Sequence, residues 1–183
     1  VVDMIVVGQF CGKAGITGVS IGGQVNTLIT GAAGGLAISG TILVAQYLGA
    51  KKYDDQKKTI GTMSTLYLVL SIVITVIMLL VGKPLLILLK TPESAFSETL
   101  SYLNICMAGT VFMFGYNAVC AVLRGLGDSK RPLYFVMIAA LINVVLDVVL
   151  VGKFNMGASG AAYATIFAQA ISFVLSVIYL SKT

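Results

Sequence analysis

The chain has 183 residues, of which 58% are hydrophobic and only 10% charged, with a mean hydropathy of +1.00. Soluble domains carry about 25% charge, so a chain this apolar is expected to fold in lipid, where its length suits five or six spanning helices of roughly 20 residues each. The formal charge of +5 comes from 12 basic and 7 acidic residues. The basic residues fall in short clusters between apolar stretches, the pattern of loop charges on a membrane protein rather than of a nucleic-acid-binding surface.

In chain order, Val1–Val7 reads as the end of a first helix (about 1–8) and not as a signal peptide, since no basic region precedes it. A glycine-rich turn over Gly8–Gly15 follows. No charge occurs between Lys13 and Lys51, so a second helix is expected over about 16–48, with its many glycines allowing bends and close packing. The third is expected over about 59–81. Pro84 and Pro92 discourage one continuous helix through Gly82–Phe96, which reads as a connector. The fourth helix is placed at about 97–123, the fifth at 132–151 and the sixth at 158–180.

Loop charges give direction. The loops after the second and fourth helices carry Lys51, Lys52, Lys57 and Lys58, then Arg124, Lys130 and Arg131, and Lys182 follows the sixth. The alternate loops carry only Lys13, Lys83, Lys90 and Lys153. The richer set is assigned to the cytoplasm, in a multi-pass protein of the plasma (inner) membrane. The turn Leu123–Pro132 reads as a structural elbow in which Arg124 and Asp128 could pair, and Pro132 suits the first turn of a helix. It lacks the ending of a phosphate-binding loop.

Several function classes are disfavoured. Cys11, Cys106 and Cys120 have no paired spacing, and the sequence contains no His, which removes the commonest metal ligand and general base. No nucleophile–base pair is evident, so an enzyme is not expected.

Two acids, Asp3 and Asp147, lie well inside apolar spans. Inserting a charge at the bilayer centre costs roughly 2.5–3.5 kcal/mol on translocon scales, so such residues need a partner or a task. Asn143, four residues before Asp147, shares its helix face. At about 1.5 Å rise per residue, Asp3, Asp147, Thr165 and Tyr102 (one turn beyond Glu98) all reach a similar level in the outer half of the membrane. Together they offer carboxylate, amide and hydroxyl oxygens, the donor set of a hard cation or a proton site. Two carboxylates in one dry pocket titrate as a unit, and a sodium ion held by Asp3, Asn143, Asp147 and Thr165 is the expected alternative to a proton. Asn117, Gln24 and Gln169 are the candidates for a substrate cavity. Asn26, Gln46 and Asn104 serve equally well as hydrogen-bonding groups between helices.

The segments Asp3–Gly8, Ala45-Gln46-Tyr47-Leu48-Gly49-Ala50, Leu123–Pro132, Asn143-Val144-Val145-Leu146-Asp147 and Gly157–Thr165, in this order and spacing, resemble the multidrug and toxic compound extrusion (MATE) family along nearly the whole chain. The resemblance implies an all-α fold, the N-terminal six-helix lobe (its first helix truncated) of a twelve-helix transporter whose missing C-terminal lobe would be its partner. It implies an antiporter that exchanges sodium or protons for organic cations, drugs and other xenobiotics, with no cofactor beyond the coupling ion. Asp3, Asn143, Asp147 and Thr165 match the family's cation-site positions, and Tyr102 matches the surrounding network. Val148 departs from the proline that many relatives place after the Asp, which leaves the local bend in question. The alternatives are a lipid-linked oligosaccharide flippase of the same superfamily and a non-transporting membrane scaffold.

Overall fold

Backbone N–H and C=O groups in lipid have no water to bond, so an apolar chain must satisfy them within its own segments. The computed structural model describes residues 2–182, without the side chain of Val2, and its elements are all helical. They are α1 (Val2–Gly49), α2 (Tyr53–Leu88), α3 (Glu93–Ala108), α4 (Thr110–Gly125), α5 (Lys130–Asp147), a π-helical turn (Val148–Lys153) and α6 (Gly157–Leu180). Among the described residues, four helices are long and apolar enough to span a membrane, and α3 with α4, bent by 48°, makes a fifth span. Val1 and Thr183, at the ends of the sequence, lie outside the described residues.

The element boundaries differ from the sequence expectations in ways that packing explains. The Gly8–Gly15 turn narrows to one residue: Gly12, at φ 64° and ψ −159°, breaks α1 while the residues on either side stay helical. The connector expected from Gly82 is helical as far as Leu88, with Pro84 inside it. Leu86 is fully buried against α1 and α3, and that burial holds the turn despite the lost proline N–H. The single helix expected over 97–123 begins at Glu93 and bends at Gly109, where a side chain would collide with Ile166 of α6. The fifth span starts at Lys130 and ends in the π-helical turn, with Phe154 N bonded to Val149 O at 3.1 Å. The chain therefore changes its helical winding directly after Asp147 without a proline at 148.

Long α1 organises the bundle: α3, α4, α2 and α6 all pack on it, while α5 packs mainly on α6. One core layer joins Val7, Val19, Leu86, Tyr102, Leu103, Met107 and Ala161. A second joins Ala33, Ala37, Val44, Tyr67, Phe114 and Ala121. Between helices, hydroxyls bond carbonyls: Tyr67 OH to Ala33 O at 2.8 Å, Thr75 to Met107 O at 2.9 Å, and Ser172 to Phe135 O at 2.8 Å. Such bonds are the usual cross-links where lipid removes the hydrophobic drive for helices to associate. The outer faces are conspicuously apolar, with Leu80 75% exposed and a row of Ile, Leu and Val residues along α2. A surface like this is stable against acyl chains and not against water.

At the elbow before α5, Asp128 pairs differently from expectation. Its Oδ1 accepts the Arg131 N–H at 3.1 Å and its Oδ2 accepts the Tyr179 hydroxyl at 2.9 Å, while the Arg131 guanidinium lies 4.8 Å from the Tyr179 ring centre. Arg124 is exposed on the other side. The reason is local: Asp128 stands three residues before Arg131, at the helix start, where free N–H groups await an acceptor. Desolvation works against the Asp128 charge, but the Arg131 N–H, the Tyr179 hydroxyl and the Arg131 charge outweigh it and hold the carboxyl below its usual range.

Two outcomes follow. Tyr67→Phe, which frees the Ala33 carbonyl, should cost about 1 kcal/mol in detergent-denaturation equilibrium, whereas Tyr67→Ala should cost about 3–5 kcal/mol through the cavity it leaves. Because the folded-state value of Asp128 is depressed, its stabilisation is complete above the unfolded value of about 3.9 and is lost as pH falls through the lower native value. Asp128→Asn should therefore reduce the difference in stability between pH 6 and about pH 3.

Candidate cation and substrate site

The first segment of α1, the end of α5, the first half of α6 and the middle of α3 converge at one level. Asn143 Nδ2 donates to Thr165 Oγ1 at 3.3 Å, and the Thr165 hydroxyl donates to Asp3 Oδ2 at 3.3 Å. This relay links α5, α6 and α1 through polar groups alone. Asp147, one turn beyond Asn143, is 0% exposed. Among the described residues neither of its oxygens makes a hydrogen bond of good geometry. The Asp3 carboxylate is nevertheless near enough to interact with it strongly. Tyr102, 3% exposed, stands within electrostatic reach of both acids.

Tyr102 owes its position to a close helix approach. A Cβ on Gly22 would lie 2.5 Å from Tyr102 Cδ1, so only a glycine at that point of α1 lets the ring lie flat against the helix. The ring thereby comes to line the same cavity as Asp3 and Thr165.

Two cavities meet at Asp3. One, of about 590 Å³, is lined by Asp3, Tyr102, Thr165 and a stripe of α1 comprising Ser20, Gly23, Gln24 and Thr27. The other, of about 220 Å³, is lined by Asp3, Tyr116, Asn143, Thr165 and Gln169. Asp147 lines neither, so Asp3 stands between the open space and the enclosed acid. Gln24 and Gln169 thus both border the site, in different cavities. Asn117 borders neither: its amide bonds its own helix at Met113 O, 2.8 Å away, and it faces separate cavities beside Arg124. Ser20 and Thr27 were not singled out from sequence, although residues 20, 23, 24 and 27 follow the spacing of one helix face. Asn26 Oδ1 in the first cavity is also buried without a partner among the described residues.

Chemically, the two carboxylates, the amide oxygen and the two hydroxyls are hard oxygen donors that suit sodium or a proton. The Asp147 oxygens are the feature that asks for a proton or a cation, since a buried carboxylate with no donor of good geometry among the described residues is costly to leave ionised.

Comparison with known proteins agrees with this architecture. The MatE family model matches residues 1–149. The probable multidrug resistance protein YoeA of Bacillus subtilis (strain 168) is 32% identical over 185 aligned residues, covering 99% of this chain and 40% of that protein. YpnP of the same organism, also named a probable multidrug resistance protein, is 48% identical over 98 residues, 54% of this chain and 22% of its own length. Among solved structures, an inward-facing MATE family multidrug resistance transporter of the MOP superfamily superposes with a TM-score of 0.93 at 23% identity, over 98% of this chain and 41% of that one. An outward-facing one superposes with 0.92 at 25% identity, over 97% and 39%. The chain thus spans about 40% of the length of these full-length matches. With the family model covering most of its residues and its fold shared with solved transporters, the chain belongs to the MatE family of multidrug efflux transporters.

Proposed function

We propose that this chain is the N-terminal lobe of a sodium- or proton-coupled antiporter that exports organic cations and drugs across the plasma (inner) membrane by alternating access. The observation that carries the reading is Asp147, fully buried with neither oxygen hydrogen-bonded among the described residues, placed behind an Asp3 that opens onto two cavities. A cation arriving through either cavity meets Asp3 first, and one that passes inward relieves the repulsion between two like charges held in a dry site. The Asn143–Thr165–Asp3 relay ties that event to three helices at once. Neutralising Asp3 changes what its segment of α1, already set apart by the break at Gly12, gains from bonding Thr165. The organic molecule would occupy the larger cavity beside Gln24 and be expelled as that segment repacks. The membrane potential contributes up to about 2.3 kcal/mol per 100 mV for each charge that crosses it.

Alternating access also needs a lobe that keeps its shape while the access path changes. The near-equal superposition on an inward-facing and an outward-facing transporter supports that, because one lobe geometry suits both. A second lobe, matching the remaining length of the relatives, would complete the substrate path.

Proteoliposomes containing the complete transporter test the reading. With a sodium gradient and a proton gradient imposed separately, one should drive export of an organic cation and so identify the coupling ion. Asp147→Asn should reduce that gradient-driven export to the uncoupled leak, a loss of at least about tenfold for a site built on this charge. Normal coupled export by this variant would rule out the site. Thr165→Val, which removes the relay hydroxyl without altering charge, should raise the ion concentration for half-maximal export by about five- to tenfold, the worth of one ordinary hydrogen bond.

A further inference from the structure

α6 opens on small residues: Gly157, Ala158, Gly160, Ala161, Ala162 and Ala164 are all buried. Small faces let helices approach closely, but they offer few protruding side chains to resist sliding along the axis. Something else has to fix how far α6 extends toward the outer surface. Its N-cap residue, Met156, makes no side-chain capping bond. The acceptor comes instead from a different helix: the Ala158 N–H donates to Glu98 Oε2 of α3 at 2.9 Å. A carboxylate in this position satisfies a free N–H and complements the positive end of the helix dipole.

The contact is built on both sides. Gly157 has φ +60°, and a Cβ there would lie 2.8 Å from Glu98 Oε2. Any other residue would both strain the backbone and push the carboxylate away. Opposite it, Gly18 of α1 lies so close that its Cβ would stand 3.1 Å from Glu98 Cβ. Glu98 is therefore clasped where α1, α3 and α6 meet. Thr165 lies seven residues beyond Ala158, about two turns along the same face. Tyr102 lies one turn beyond Glu98 on α3.

We infer that Glu98 is a positioning residue for the cation site: by capping α6 it sets the axial level at which Thr165 meets Asp3 and Asn143. The inference rests on the reading of those residues as the coupling site. Its chemical content is a hydrogen bond at a fixed reach, with the charge of Glu98 secondary.

Three forms of the complete transporter decide it: wild type, Glu98→Gln and Glu98→Asp. Gln keeps an acceptor oxygen at the same reach, whereas Asp keeps the charge and withdraws it by one methylene. Export of an organic cation is followed against titrated sodium and against titrated pH, and backbone hydrogen exchange is measured over residues 158–165. Glu98→Asp should raise the sodium or proton concentration for half-maximal export about tenfold, the usual scale of a lost cap. It should speed exchange in the first two turns of α6 and leave the KM for the organic cation within about twofold. Glu98→Gln should stay within about threefold of wild type in ion dependence and match its exchange. Wild-type ion dependence and exchange in Glu98→Asp would overturn the inference, as would Glu98→Gln being as defective as Glu98→Asp. If neither sodium nor protons drive wild-type export, the coupling reading falls by itself, and hydrogen exchange in the same variants still decides whether Glu98 fixes α6.

Discussion

Asp147 has no hydrogen-bond donor at its carboxylate oxygens among the described residues, and it lies inside a bundle whose outer surface is built for lipid. Few constraints in protein chemistry are as severe, because the energy of an ionised group depends on what surrounds it far more than that of any apolar side chain does. The surrounding helices answer this constraint. Asp3 approaches from α1 with Thr165 and Asn143 behind it, Tyr102 closes one side, and the helix changes to π-winding immediately after the acid. Local departures from regular winding are frequent at functional positions, and this one begins at the residue next to the buried charge.

The rest of the lobe has a mechanical sense in relation to that centre. Glycine at 22 brings Tyr102 onto α1, glycine at 109 marks the bend between α3 and α4 against Ile166 of α6, and glycine at 12 separates the Asp3 segment from the long remainder of α1. Between these points, Tyr67, Thr75 and Ser172 cross-link neighbouring helices to backbone carbonyls. The break in α1 at Gly12 falls nine residues beyond the acid that faces the cavities, and packed helices settle in discrete arrangements instead of deforming continuously.

Residues that carry a charge into lipid were legible without coordinates. Asp3 and Asp147 stood out because nothing else in their spans is ionisable, and constant helical rise was enough to put them at one level with Thr165 and Tyr102. Uncharged polar residues were much harder to rank. Asn117, beside Tyr116, stood first for cavity lining, and it borders cavities beside Arg124, whereas Gln24 and Gln169 border the two that meet at Asp3. Ser20 and Thr27 went unnoticed because a hydroxyl in a membrane helix usually bonds the preceding turn, as Thr27 in fact does with Gly23 O. Glu98 stands at the expected start of the fourth helix, and only the approach of α6 gives it the Ala158 N–H as a partner.

The sequence by itself determined the solvent, the all-helical architecture and which side chains are costly to hold in lipid, because transfer energies act residue by residue. Tertiary structure decided the rest: that Pro84 stays within a helix, that α3 and α4 bend at Gly109, that Asp128 turns to Tyr179, and that Thr165 bridges Asn143 and Asp3. Each of these depends on how close two helices come and how each is rotated about its axis. Those quantities are set by the shapes of distant side chains fitted together, and no local pattern contains them.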